Sequence, residues 1–180
     1  KSLLTTVATV LLLHIISNFF FHRFDLTQDH RYTLSPTTLK ILKDVKNPLS
    51  IKVYLQGELP AEFKRLQLES KQLLEEFQAY NSNIIIEFVD PLENKDESMD
   101  NIKELYRKGL TPINITVDDK GKQSQSMVFP WAIATCGDKS VKVPLLKNMM
   151  GASTAEKVVS SVQHLEYAFT NAINTVSKEK

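Results

Sequence analysis

The stretch Ser50–Pro91, SIKVYLQGELPAEFKRLQLESKQLLEEFQAYNSNIIIEFVDP, changes its hydrophobic period twice, and those changes decide the fold class. Ser50–Leu55 alternates apolar and polar positions and is rich in β-branched residues and Tyr, the pattern of a strand. Gly57–Pro60 turns the chain. From Ala61 to Tyr80 the period becomes helical: Phe63, Leu66, Leu73, Phe77 and Tyr80 share a face, with Glu69, Lys71, Glu75 and Glu76 mostly outside it. Asn81-Ser82-Asn83 is a stop. Ile84–Val89 is then a short apolar run ended by Asp90-Pro91, as a buried strand would be. Two strands joined by a helical crossover imply parallel neighbours.

Downstream, Ser98–Lys108 places Ile102, Leu105 and Tyr106 together on a helix closed by Gly109. Thr111-Pro112 leads into a third strand, Ile113–Val117, and Asp118–Gln123 with Gly121 reads as a turn. Met127–Thr135 and Ser140–Leu145 read as two further strands joined at Gly137-Asp138. A long final helix opens at Ser153 or Thr154, with Val158, Val162, Leu165, Phe169, Ile173 and Val176 on one face. The expected order is β-α-β-α-β-β-β-α, an α/β domain with a mixed sheet, and it resembles the thioredoxin-like arrangement. In that fold a cis-proline often precedes the third strand, so the resemblance makes Pro112 the candidate.

Upstream, Ser35-Pro36 is a helix start, because Ser accepts from free N–H groups and Pro suits the first helical position. Leu34 can staple onto Leu39, the stripe Leu39, Leu42 and Val45 follows, and Asn47-Pro48 ends the helix. Further back, Leu3–Phe21 is 19 residues without a formal charge. A bilayer core of ~30 Å takes about 20 helical residues, so the sequence predicts a single N-terminal transmembrane helix. No small-residue cleavage site follows it, which argues against a signal peptide. The expected division is residues 1–24 as anchor, 25–48 as linker with a short juxtamembrane helix, 49–152 as a thioredoxin-like domain, and 153–180 as a long helix.

His14, Asn18 and His22 recur every four residues and so share one face of that expected helix. Polar side chains in lipid are costly and usually face another helix or water. Two readings stand: the stripe docks on a partner's membrane helices, or Asn18 and His22 lie in the headgroup zone and His14 is tolerated.

Composition narrows the chemistry. Lys+Arg 22 against Asp+Glu 21 gives +1, without the basic excess that nucleic acid requires. One cysteine excludes an internal disulfide, a Cys-x-x-Cys pair and a multi-cysteine zinc site. A thioredoxin-like enzyme needs its nucleophile after the first strand, where this chain has Gln56-Gly57-Glu58-Leu59-Pro60; Cys136 lies far away at a hairpin tip. The acidic stretch from Glu87 to Glu104 lacks the glycine and terminal glutamate of a calcium loop and reads as a solvated face. No Gly-rich phosphate loop exists, His164 has no triad partner that spacing identifies, and Trp131 reads as a core or hairpin aromatic. No catalytic, cofactor-binding or metal-ligating residue is nominated. The chain reads as a non-enzyme.

Several motifs in order sharpen this. Arg-Tyr-Thr-Leu-Ser at Arg31–Ser35, Lys-Val-Tyr-Leu at Lys52–Leu55, Leu-Pro-x-x-Phe-Lys-Arg-Leu at Leu59–Leu66 and Phe-x-Asp-Pro at Phe88–Pro91 follow the apolar segment. They strongly resemble the beginning of the GldG-type subunit of gliding-motility-associated ABC transporters, and the later His164–Val176, HLEYAFTNAINTV, is similar to that family's segment leading into its next extracytoplasmic region. The resemblance implies an accessory, substrate-binding-like subunit on the periplasmic side of the inner membrane, with 49–152 as its extracytoplasmic domain and the 153–180 helix leading to a further C-terminal region. Its implied partners are membrane lipid, an integral-membrane permease and a cytoplasmic ATPase that holds the ATP. Competing classes are a membrane-tethered thioredoxin-like envelope protein and a solute-binding receptor.

Overall fold

The structure is a computed structural model that describes residues 6–7, 33–93, 98–119 and 122–178. The chain divides into two units, Lys1–Thr33 and Leu34–Lys180. Of the first, Thr6 and Val7 are described and helical. Among the described residues no helix is long and apolar enough to cross a membrane. The longest, Ala61–Tyr80, has the length but carries Glu62, Lys64, Arg65, Glu69, Lys71, Glu75 and Glu76. The expectation of a single transmembrane helix ahead of the sheet domain is thereby corrected. His14, Asn18 and His22 lie outside the described residues.

The second unit is α/β with a mixed four-stranded sheet. Strand β1 (Leu49–Val53) is central, parallel to β2 (Ile84–Phe88) and antiparallel to β5 (Trp131–Cys136). Beyond β5 lies β6 (Lys139–Pro144), so the spatial order is β2-β1-β5-β6. The crossover between β1 and β2 is α2 (Ala61–Tyr80). Leu49, Ile51 and Val53 alternate inward and are fully buried, as a strand under a helical layer requires. Phe63, Leu66, Leu74 and Phe77 of α2 lie over them. Each such side chain contributes roughly 1.5–3 kcal/mol by leaving water. Tyr80, expected on this face, is 60% exposed; Leu74 is fully buried while the expected Leu73 is half-buried; and Glu76, expected mostly outside, is buried.

The expected strand order needs correction. Ile113–Asp119 (β3) pairs with Lys122–Val128 (β4) in a separate two-stranded ribbon and does not join the main sheet. The expected strand Met127–Thr135 breaks at Phe129-Pro130, because proline has no N–H to give a ladder. The Trp131 N–H donates back to the Phe129 carbonyl at 2.8 Å, closing a tight turn around Pro130. No cis peptide bond occurs among the described residues, so Pro112 is trans and the mark of the thioredoxin-like arrangement is missing there.

Helix α1 (Pro36–Lys43) starts as the sequence dictates: the Ser35 hydroxyl accepts from the Thr38 N–H at 3.2 Å, and Leu34 is buried beside half-buried Leu39. Its far end is finished by the Asn81–Asn83 turn. The Asn81 amide donates to the carbonyls of Leu42 (2.7 Å) and Val45 (2.9 Å), satisfying groups a helix terminus leaves bare. The final helix is two, α4 (Thr154–Val162) and α5 (Leu165–Ser177), separated at Gln163-His164. Ser153 and Glu156 cap α4 reciprocally. Val158, Leu165, Phe169, Ile173 and Val176 are buried in the same core as the sheet.

Among the described residues, the opposite sheet face meets α3 (Ser98–Arg107) and the chain around it through a small cluster of Tyr54, Leu105, Leu110 and Phe129, with Met127 of β4 packed against it. Gly109, at φ +73°, closes this helix in the left-handed conformation, with the Leu110 N–H reaching the Leu105 carbonyl at 2.9 Å.

Candidate functional site

The carboxyl ends of β1 and β2 are the place where open α/β sheets usually bind ligands. Here the Gln56–Pro60 loop closes against the β2 end. Gly57 sits at φ +96°, and a Cβ on it would lie 2.1 Å from a carboxylate oxygen of Asp90. That carboxylate is committed locally, accepting from the Leu92 N–H at 2.8 Å. The Gln67 amide donates to the Gln56 side chain at 3.0 Å, and the Trp131 indole donates to the Thr111 carbonyl at 2.8 Å. These bonds tie the Gln56 loop to α2 and the Thr111 segment to the start of β5, and they present no nucleophile.

Cys136 lies at the other end of the sheet, opposite Leu49 at the start of β1. It lines a half-open depression with Asp44, Lys46, Asn47 and Ser177. His164 stacks on Tyr167 with ring centroids 4.9 Å apart, and Tyr167 is 65% exposed. Among the described residues, no group of three His, Cys, Asp or Glu side chains could hold a metal ion.

The shifted ionisable groups are exposed pairs. Lys108 Nζ donates to Glu104 at 2.5 Å, holding the Glu104 carboxyl below its usual range and raising the Lys108 ammonium. Hydrogen bonds from the Ser153 hydroxyl and backbone N–H lower Glu156 in the same way. Pairs in solvent do little for stability or catalysis.

The most developed polar constellation among the described residues joins α1 to α5. Glu166 Oε1 accepts from the Ser35 N–H at 2.8 Å and from the Thr38 hydroxyl at 2.6 Å. Thr38 Oγ1 also lies 3.0 Å from Thr170 Oγ1 and 3.0 Å from Ser35 Oγ. A threonine hydroxyl has one proton and two lone pairs. With its proton on Glu166, Thr38 accepts from Thr170 and from Ser35, so the hub is fully satisfied. Thr38 is 2% and Thr170 6% exposed, where an unmet hydroxyl would cost about 1–3 kcal/mol. Glu166 also sits at the positive end of α1, which favours a carboxylate. The pattern Ser35-Pro36 announces the start of α1; nothing local announces Glu166 and Thr170, which lie some 130 residues away in sequence (separations of 128 to 132).

The arrangement is a joint between α1 and α5. Residue separation along both helices shows that they run in the same direction: Ser35 and Thr38 meet Glu166 and Thr170, while Asp44, Lys46 and Asn47 lie beside Ser177.

No curated protein and no solved structure matches this chain. A family model described as "Domain of unknown function (DUF7088)" matches residues 28–135, a span that includes α1, the parallel β1-α2-β2 unit, α3, the ribbon and all but the end of β5. With more than half of its length matched, the chain belongs to the DUF7088 family.

Proposed function

We propose that this protein is a non-catalytic accessory subunit of an ABC transporter complex, working outside the cytoplasm and passing motion between a permease with its ATPase and an external domain. The observation that carries the reading is the α1–α5 joint. A segment arriving at Leu34 meets a helix whose first turn is bonded at once to Glu166 and, through Thr38, to Thr170. Displacement of Leu34 therefore moves the core-bearing helix α5 instead of being absorbed in a loose linker. The ordered motifs at Arg31–Ser35, Lys52–Leu55, Leu59–Leu66 and Phe88–Pro91 support the transporter class. The position of Cys136, at the end of the sheet away from Gln56–Pro60, supports a non-redox role.

The test is recovery of the full-length protein from its own cells in mild detergent. A permease and an ATPase should come with it. In the Thr38→Val/Glu166→Gln double variant the complex should still assemble, with ATPase activity no longer responding to the accessory subunit. Recovery without any transporter component would overturn the reading.

A further inference from the structure

The two borders of the main sheet differ in kind. β6 carries Lys139, Lys142 and Pro144, residues that discourage another strand from adding to a free border. β2 is Ile84-Ile85-Ile86-Glu87-Phe88, with neither Lys nor Pro. In a parallel pair, residues bonded to the neighbour alternate with residues whose N–H and C=O point away. The Leu49 N–H donates to the Asn83 carbonyl at 2.9 Å, and the Val89 N–H to the Val53 carbonyl at 2.8 Å. Asn83, Ile85, Glu87 and Val89 thus face β1, and Ile84, Ile86 and Phe88 turn their backbone groups outward. Ile84 is served locally: its N–H donates to the Asn81 carbonyl at 3.1 Å, and its carbonyl accepts from the Gln78 amide at 2.9 Å. Ile86 and Phe88 have no strand beyond them among the described residues.

We infer that this border pairs with the β2 of a second copy of the chain, antiparallel about a two-fold axis at Ile86. The strand is self-complementary in that register. Ile86 exchanges both backbone bonds with its symmetry mate, and the Phe88 N–H reaches the second lone pair of the other copy's Ile84 carbonyl. On the helix-covered side Ile84 meets Phe88 across the axis. On the open side Ile85, 52% exposed, meets the methylene stem of Glu87, whose carboxylate remains 3.1 Å from its own Lys52. A register one residue later would set the two Glu87 carboxylates directly opposite each other, which is destabilising. Charge pattern and backbone supply thus select one partner and one register. The contact is isologous, so it closes at two copies and does not propagate.

The register is tested in the full chain with Cys136→Ser as background. A mixture of Ile85→Cys and Glu87→Cys chains should form an intermolecular disulfide readily, and Glu87→Cys alone should not. Sedimentation over a concentration series should show a reversible dimer that Ile86→Pro abolishes, its retained fold checked by circular dichroism. If Ile86→Pro unfolds the chain, the cysteine mixture decides. A chain that stays monomeric and uncrosslinked at every concentration overturns the proposal. So does faster crosslinking of Glu87→Cys alone. Protection of the Ile86 and Phe88 amides that appears only when a different protein is added overturns it as well.

Discussion

The two faces of the β2-β1-β5-β6 sheet come from the same strands and do different work. On one, Leu49, Ile51, Val53, Ala132, Ala134 and Val143 lie under α1, α2, α4 and α5 in a continuous core. On the other, Ser50, Lys52, Thr135, Ser140 and Lys142 occupy the alternate positions. There the Lys52–Glu87 pair and the Thr135–Ser140 contact at 3.2 Å stand in for a core, and α3 covers only the end near Tyr54. A period of two therefore lets one strand hold the molecule together and leave its reverse side available to solvent or a partner. The lesson is that stability here is concentrated on one layer.

The largest effect should separate the faces. Phe77→Ala, at a fully buried site under α2, should cost about 3–5 kcal/mol in denaturant unfolding and lower the stability of the whole unit. Phe129→Ala, in the small cluster, should lose hydrogen-exchange protection mainly in α3 and the base of the ribbon. Equal global losses from both would show that the faces unfold as one. Next in size, Thr38→Val keeps the shape of the α1–α5 joint but strips its hub, leaving Glu166 and Thr170 short of partners. About 1–3 kcal/mol should be lost, and Glu166→Gln in the same chain should add less than its separate cost, because the two act together. Full additivity would break the joint into independent contacts.

The smallest effect is pH-dependent. Glu156 titrates below its usual range in the folded state, so its contribution is present at neutral pH and lost as pH falls through that depressed value. The stability gap between wild type and Glu156→Gln should be measurable at pH 7 and shrink toward pH 3. A gap unchanged at low pH would mean that the cap works without the carboxylate.

Much of the covered face was legible in sequence because burial imposes period. Ser50–Leu55, Ala61–Tyr80 and Ile84–Val89 each announce their element, and Val158, Leu165, Phe169, Ile173 and Val176 are in the core. The ribbon was not, since Lys122–Ser126, KQSQS, has no apolar alternation to betray a strand. The break at Gln163-His164 contains no Gly or Pro, the usual punctuation. Asn81 reads locally as a stop; that its amide finishes a helix 36 to 39 residues earlier is set only when the chain folds back. The joint at Glu166 is invisible for the same reason: a hydrogen bond between distant residues leaves no periodic trace.

One consequence of the shared direction of α1 and α5 concerns force. The chain reaches the first turn of α1 at Leu34, while α5 finishes at Ser177, at the far end of the pair. A pull applied between Leu34 and Ser177 therefore slides one helix lengthwise along the other, loading the Ser35, Thr38, Glu166 and Thr170 bonds together instead of peeling them open in turn. A lengthwise load on the pair is thereby shared among those four residues.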